Sequence, residues 1–219
     1  MKLFYFTLLL LLSGSVLKAQ QELLVFPSGE EVRENKYIHV RGTPFLHDEW
    51  AGGSVTMADS TVYKGLALKY SVYTDQVFYR SPEKGVMMEF LKSVESFIID
   101  KDGGREIYKK GFPAVDKFSE DSYYQVISAG KTQLLFKKSK LLHEEQFYSS
   151  ATSEKIFKDI SAYYVLKNGK MLKVRPSKKV FAKILADKGE AIKAYTNSEE
   201  IDYKDKQSLA RLFEHYNSL

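Results

Sequence analysis

Four consecutive side chains, His47, Asp48, Glu49 and Trp50, form the densest cluster of potential chemistry in the 219-residue sequence. A histidine beside a carboxylate can serve as a general base held by that carboxylate, or supply ligands to a metal. Adjacent residues on extended backbone point to opposite faces, which works against joint coordination by these side chains. The structural alternative is a loop in which Asp48 caps a turn and Trp50 plugs the core. Loop is the expected conformation: Pro44 biases Thr43 toward extended backbone, and Gly52-Gly53 frees the chain for a tight entry into a strand.

Other motifs fall short of the chemistry they resemble. Gly130-Lys131-Thr132 would end a phosphate-binding loop, but Gln125 stands where that loop needs its first glycine. Asp100-Lys101-Asp102-Gly103-Gly104 begins like a calcium loop, yet Gly104 and Arg105 occupy the places of a third ligand and the invariant glycine. Gly52-Gly53-Ser54-Val55-Thr56 lacks the second flanking glycine of a nucleophile elbow. The four histidines, His39, His47, His143 and His215, show no metal-binding helical spacing, and there is no cysteine, so neither a metal nor a cofactor is expected. The adjacent pairs Glu30-Glu31, Glu144-Glu145 and Glu199-Glu200 read as solvated. Tyr63, Tyr70, Tyr73 and Tyr79 could line a ligand cavity, although core packing is the commoner use of such residues. The candidate binding residues are therefore His47, Asp48, Trp50, Tyr70 and Tyr73, with no catalytic residue assigned.

The elements that must position these residues are strands. With 15 Tyr and 14 Phe against one Trp, the aromatic content leans toward pleated, half-buried surfaces. From Ser54 to Asp100 short apolar segments alternate with turn residues: Ser54–Ala58, Thr61–Lys64, Leu66–Tyr73, Val77–Arg80, Val86–Leu91 and Phe97–Asp100. This is the rhythm of a β-meander, with Gly65 breaking one strand from the next. Leu68, Tyr70 and Val72 share a face expected to be buried, opposite Lys69, Ser71 and Tyr73; Val86, Met88 and Phe90 form another inward face. Two hairpins follow, turning at Ala129-Gly130 and at Asn168-Gly169; the second is the strongest short-range hairpin signal in the chain. Leu141 to Ile160 is polar and reads as a long loop, extended around Glu145–Tyr148. Ahead of the meander, Leu23 to Phe26 and Tyr37 to Val40 are short strand candidates.

After Arg175 the periodicity changes. Ser177 is a suitable N-cap for a helix carrying Val180, Phe181, Ile184 and Leu185; Gly189 stops or kinks it. Glu190–Thr196 and Asp205–Tyr216 are two further helices, the last with Leu209, Leu212, Phe213 and Tyr216 on one stripe. The expected fold is mainly β (α+β): an antiparallel meander sheet or open barrel over residues 21–176, with the helices of 177–219 packed on it.

Residues 1–20 read as a signal peptide. Lys2 supplies the positive charge, Leu3 to Leu12 the apolar core, and Ala19 a small residue before the cut. About ten apolar residues fall well short of the roughly 20 that span a bilayer, so no transmembrane segment is expected after cleavage. Without cysteine the chain can be neither a lipoprotein nor disulfide-stabilised; periplasm or secretion is the expected destination. Lys2 and Lys18 leave with the leader, and the remainder carries +3 rather than +5. The charge is uneven: Lys131 to Lys188 holds 14 Lys/Arg against 5 Asp/Glu. Such a section can contact anionic lipid or glycan, or simply be a solvated strand face. Nucleic acid is a poor partner for an exported protein.

The run Gly42-Thr43-Pro44-Phe45-Leu46-His47-Asp48-Glu49-Trp50, followed by Tyr63–Gln76 and the ending Glu214-His215-Tyr216-Asn217-Ser218-Leu219, resembles a family of uncharacterised exported proteins of Gram-negative bacteria. That likeness covers nearly the whole mature chain and implies export and a β-meander with a helical end. It implies no catalytic residue. The expected function is non-enzymatic binding of an envelope ligand or protein. The rivals are an envelope hydrolase using His47 and Asp48 and, least favoured, a small outer-membrane barrel, which the short strands and helical ending oppose.

Overall fold

The structure is a computed structural model that describes residues 26–33, 37–101, 104–146 and 153–219. The leader of residues 1–20 and the apolar residues Leu23, Leu24 and Val25 lie outside the described residues. The fold is mainly β. Twelve strands form one almost wholly antiparallel sheet: β1 (Gly29–Glu31), β2 (Val40–Arg41), β3 (Ala51–Met57), β4 (Val62–Ser71), β5 (Gln76–Arg80), β6 (Met87–Phe90), β7 (Val94–Lys101), β8 (Gly104–Lys109), β9 (Tyr124–Ser128), β10 (Thr132–Gln146), β11 (Ser153–Lys167) and β12 (Lys170–Val174). The spatial order is β1-β6-β5-β4-β3-β7-β8-β9-β10-β11-β12, with β2 pairing in parallel to β11. Helices α1 (Lys178–Ile184), α2 (Gly189–Ser198) and α3 (Lys206–Ser218) follow.

The sheet curls. Tyr70 of β4 stacks its ring 5.2 Å from that of Tyr108 in β8, although β3 and β7 lie between them in the ladder. Farther along, the Lys140 amide of β10 donates to the Val72 carbonyl just beyond β4, at 3.2 Å. The concave side holds the first core, with Val55, Leu66, Leu68, Tyr70, Val72, Phe97, Ile99 and Tyr108 all buried. Leu68, Tyr70 and Val72 thus share the buried face that the alternation predicts. Met88 and Phe90 pack against this core as expected, but Met87, on the opposite face, is the more buried at 4 % exposure.

The first part of β10, Thr132 to Ser139, is buried on both faces. Leu134 joins Val165 and the helices in a second core with Phe181, Leu185, Ile192, Leu209, Leu212, Phe213 and Tyr216; its neighbour Leu135 joins Phe112, Tyr124, Tyr164 and Met171 in a third core on the other side. The helices therefore dock on the sheet through the predicted stripe. Ser177 caps α1 by accepting from the Val180 amide, and Asp205 caps α3 by accepting from the Ser208 amide. At the opposite ends, Lys167 donates to the Ile184 carbonyl of α1 (2.6 Å) and Lys188 to the Tyr216 carbonyl of α3 (3.0 Å), placing cations where the helix dipoles are negative. Gly189 does not end a helix; a 3₁₀ turn over Ala186–Lys188 leads directly into α2, which begins at Gly189.

Two expectations are corrected. Gly65 does not break a strand. It is the extra residue of a β-bulge, at φ +67°, where the partner strand pairs Gly53 with Leu66 and Ser54 with Lys64, so Val62–Ser71 is one strand. Nor is Leu141–Ile160 a long loop: β10 and β11 run in unbroken register from Thr132↔Lys167 to Gln146↔Ser153. The Asn168-Gly169 hairpin is as expected, with both residues at positive φ (51° and 72°).

Candidate binding site

The chain passes from β2 to β3 through residues 42–50, and that loop is pinned from below. Phe45 bridges to Ser71, the Leu46 amide donates to the Tyr70 carbonyl (2.8 Å) and the Tyr73 amide to the Pro44 carbonyl (3.2 Å). From β10 the Lys140 ammonium donates to the carbonyls of Thr43 (2.6 Å) and Phe45 (3.0 Å). Burial pushes the Lys140 amine below its ordinary value. The loop is thus fixed along the curled rim of the sheet before it delivers His47, Asp48, Glu49 and Trp50.

Those four side chains, with Asp100 and Lys101 at the end of β7, line one open concavity of about 560 Å³. His47 is held from two sides. Its Nδ1 lies 3.0 Å from the Lys101 ammonium, which can only donate, so Nδ1 accepts and the proton resides on Nε2. Nε2 is buried without a hydrogen-bond partner among the described residues; the Glu106 carboxylate is 3.8 Å away. Glu106 accepts from the Tyr108 hydroxyl (2.9 Å) and from the Gln125 amide (3.3 Å), and Gln125 in turn accepts from Lys206 at the start of α3 (2.7 Å). A polar row therefore runs from the helical cap to His47. Neither ring nitrogen is free toward the concavity. Among the described residues no three His, Asp or Glu side chains converge as metal ligands would.

Burial and the Lys101 charge push the His47 imidazole below its ordinary 6.5, with Glu106 opposing and Lys138 adding to the depression. The sign for stability follows. Well above pH 6.5 the ring is neutral folded and unfolded. As pH falls below 6.5 the unfolded chain takes the proton first, so stability drops until the folded ring is protonated too. His47→Asn keeps an acceptor near the Nδ1 position and does not titrate. Its melting temperature should therefore decline less steeply than the parent's between pH 7 and pH 5; parallel curves would refute this environment for His47.

Trp50 is half-buried, with the Lys69 ammonium 5.2 Å from its ring and 4.7 Å from that of Phe45. It walls two hollows at once: the acidic concavity just described, and a second of about 600 Å³ that includes Glu31, Arg33 and Arg80. Asp48 is exposed at the first. His47, Asp48 and Trp50 are thus brought together. The two tyrosines are elsewhere. Tyr70 is 2 % exposed inside the first core, its hydroxyl donating to Asp75 (2.5 Å); burial, then the Asp75 charge, hold its phenol far above the ordinary range. Tyr73 lies on the opposite face, its ring 5.0 Å from Phe157 and 5.6 Å from Tyr37. The sequence reading missed Asp100, Lys101 and Glu106, which reach the site only because the β7–β8 hairpin crosses beneath the loop. No family model, characterised protein or solved structure matches the chain.

Proposed function

We propose that the protein is an exported, non-enzymatic binding protein of the bacterial cell envelope, and that Trp50 is the centre of its binding surface. The observation that carries this reading is the position of Trp50 as the shared wall of two adjoining open hollows. An aromatic face flanked by carboxylates on one side (Asp48, Glu49, Asp100) and by arginines on the other (Arg33, Arg80) suits an extended, hydroxyl-rich ligand such as an envelope glycan. The leader read in residues 1–20 supplies the export. Binding is favoured over hydrolysis because both His47 nitrogens are turned to protein groups. It is favoured at this surface over the basic section because Lys137, Lys140, Lys167 and Lys188 of that section are spent on carbonyls and carboxylates.

Trp50 is the only tryptophan, so its emission reports the site directly. Titration of the purified protein with envelope oligosaccharides is expected to shift tryptophan emission saturably. Trp50→Ala should weaken binding by at least about tenfold in calorimetry, or roughly 1.4 kcal/mol, with an unchanged circular dichroism spectrum. The reading fails if native mass spectrometry recovers no glycan, lipid or protein partner and the emission stays fixed throughout the titration.

A further inference from the structure

Another hollow, of about 290 Å³, is lined by β10, β11 and the irregular segment that contains Asp116, Lys117 and Phe118. It exists because of residue size. The cross-strand pairs Lys137↔Ala162 and Ser139↔Ile160 set a small side chain beside a large one, and Phe118 closes over the gap. Three ammonium groups surround it: Lys137, 2 % exposed, with Lys117 and Lys173. One carboxylate, Asp116, also lines it, but its Oδ2 is taken by the Tyr164 hydroxyl (2.9 Å) and by Lys173 (3.0 Å). Lys137 is balanced from behind by Asp75 (2.6 Å). Lys117 makes no ion pair with any described residue and lies 5.6 Å from the Phe118 ring. The balance of charge around the hollow is therefore positive.

Tyr124, only 1 % exposed, packs behind this lining without being part of it. The Tyr124 ring stands 5.3 Å from that of Tyr164, 6.1 Å from that of Phe118 and 5.6 Å from the Lys137 ammonium, all three of which line the hollow. We propose that this hollow is a binding site for a compact anion, a carboxylate or phosphate on a small aromatic or apolar body, with Lys117 supplying the charge and Phe118 and Tyr164 the walls. The site is separate from the Trp50 surface, and its failure would leave the function proposed above untouched.

Benzoate and phenyl phosphate are the probes, with benzyl alcohol as the neutral control, followed by amide NMR shifts in the purified protein. Saturable shifts centred on Ser139 and Ala162 are expected for benzoate, phenyl phosphate or both, and whichever binds more tightly identifies the headgroup. Ala162→Leu fills the hollow and should abolish the shifts; Lys117→Glu, at an exposed position that leaves folding intact, should weaken binding at least tenfold. The proposal is overturned if neither anion binds, if benzyl alcohol binds as tightly as the anions, or if Lys117→Glu leaves affinity unchanged.

Discussion

Lys137→Ala is expected to destabilise the fold by about 3–5 kcal/mol, the range for removing one partner of a buried ion pair, read from the midpoint of urea denaturation. The Lys137 ammonium donates to Asp75 (2.6 Å), to the Tyr123 carbonyl (2.8 Å) and to the Tyr70 hydroxyl (3.3 Å), while Tyr70 itself donates to Asp75. These contacts tie β10 to the end of β4 and to the chain entering β9, so they clasp the curl of the sheet. Burial pushes the Lys137 amine below its ordinary value, against the pull of Asp75; the charge is tolerated because three acceptors meet it. Truncation strands the Asp75 carboxylate and the Tyr123 carbonyl together. Asp75 also holds φ +62° in its turn, a conformation asparagine tolerates, so Asp75→Asn removes charge without unmaking the turn. That variant should be destabilised as well, since it leaves an ammonium at 2 % exposure facing a neutral amide. The decisive measurement is the double variant Lys137→Ala with Asp75→Asn. Its loss should be smaller than the two single losses added, by about 1–3 kcal/mol. Strict additivity would mean that the pair does not clasp the sheet.

That clasp also marks where sequence reading stops. The alternation of Leu68, Tyr70 and Val72 displays its buried face because one side meets a core, while Lys69 and Tyr73 on the other are only half-buried; Ser71, 3 % exposed, departs from that pattern. The Asn168-Gly169 turn is legible because positive φ at two successive residues needs those side chains. Ser177 and the Leu209–Tyr216 stripe declare helices for equally local reasons. Leu141–Ile160 misleads because the distal β10–β11 ribbon, the buried Phe157 apart, is wet on both faces: His143, Glu144, Lys155 and Lys158 are exposed, so no two-residue period survives. A glycine in a strand signals either a break or a bulge, and only the partner strand decides which; Gly65 needed Gly53 and Ser54 opposite it. His47, Asp48 and Trp50 could be found because they are contiguous. Lys101 and Glu106 arrive from a hairpin more than fifty residues away, and nothing near His47 announces them. Lys137 did carry a weak signal, since Leu135, Lys137 and Ser139 continue one face of a strand and all three are buried. A lysine in that row reads by default as solvent-facing until Asp75 is seen behind it.

Gly53→Ala is expected to cost about 3 kcal/mol or more, while Gly52→Ala one residue earlier is neutral or stabilising by about 0.5 kcal/mol. A Cβ at Gly53 would lie 2.1 Å from the Ile98 carbonyl oxygen and 2.9 Å from Leu68 Cδ1. The first contact is with backbone in the middle of the β3–β7 ladder, where Gly53 pairs with Ile99 and Ser54 with Ile98, so no side-chain rotation relieves it. A Cβ at Gly52 would meet nothing within 4 Å. Sequence alone cannot rank two neighbouring glycines; the pleat does, because one points into the first core and the other to solvent. The consequence reaches the binding surface. β3 begins at Ala51, directly after Trp50, and strand and loop share the contacts that set the ring between its two hollows. Gly53→Ala should therefore alter tryptophan emission in the folded protein as well as lowering the denaturation midpoint, whereas Gly52→Ala should leave the emission in place. Equal midpoints for the two variants would contradict the close approach at Gly53, and a reversed order would contradict the register at the Gly65 bulge, because a slip by one residue exchanges the two glycines between core and solvent.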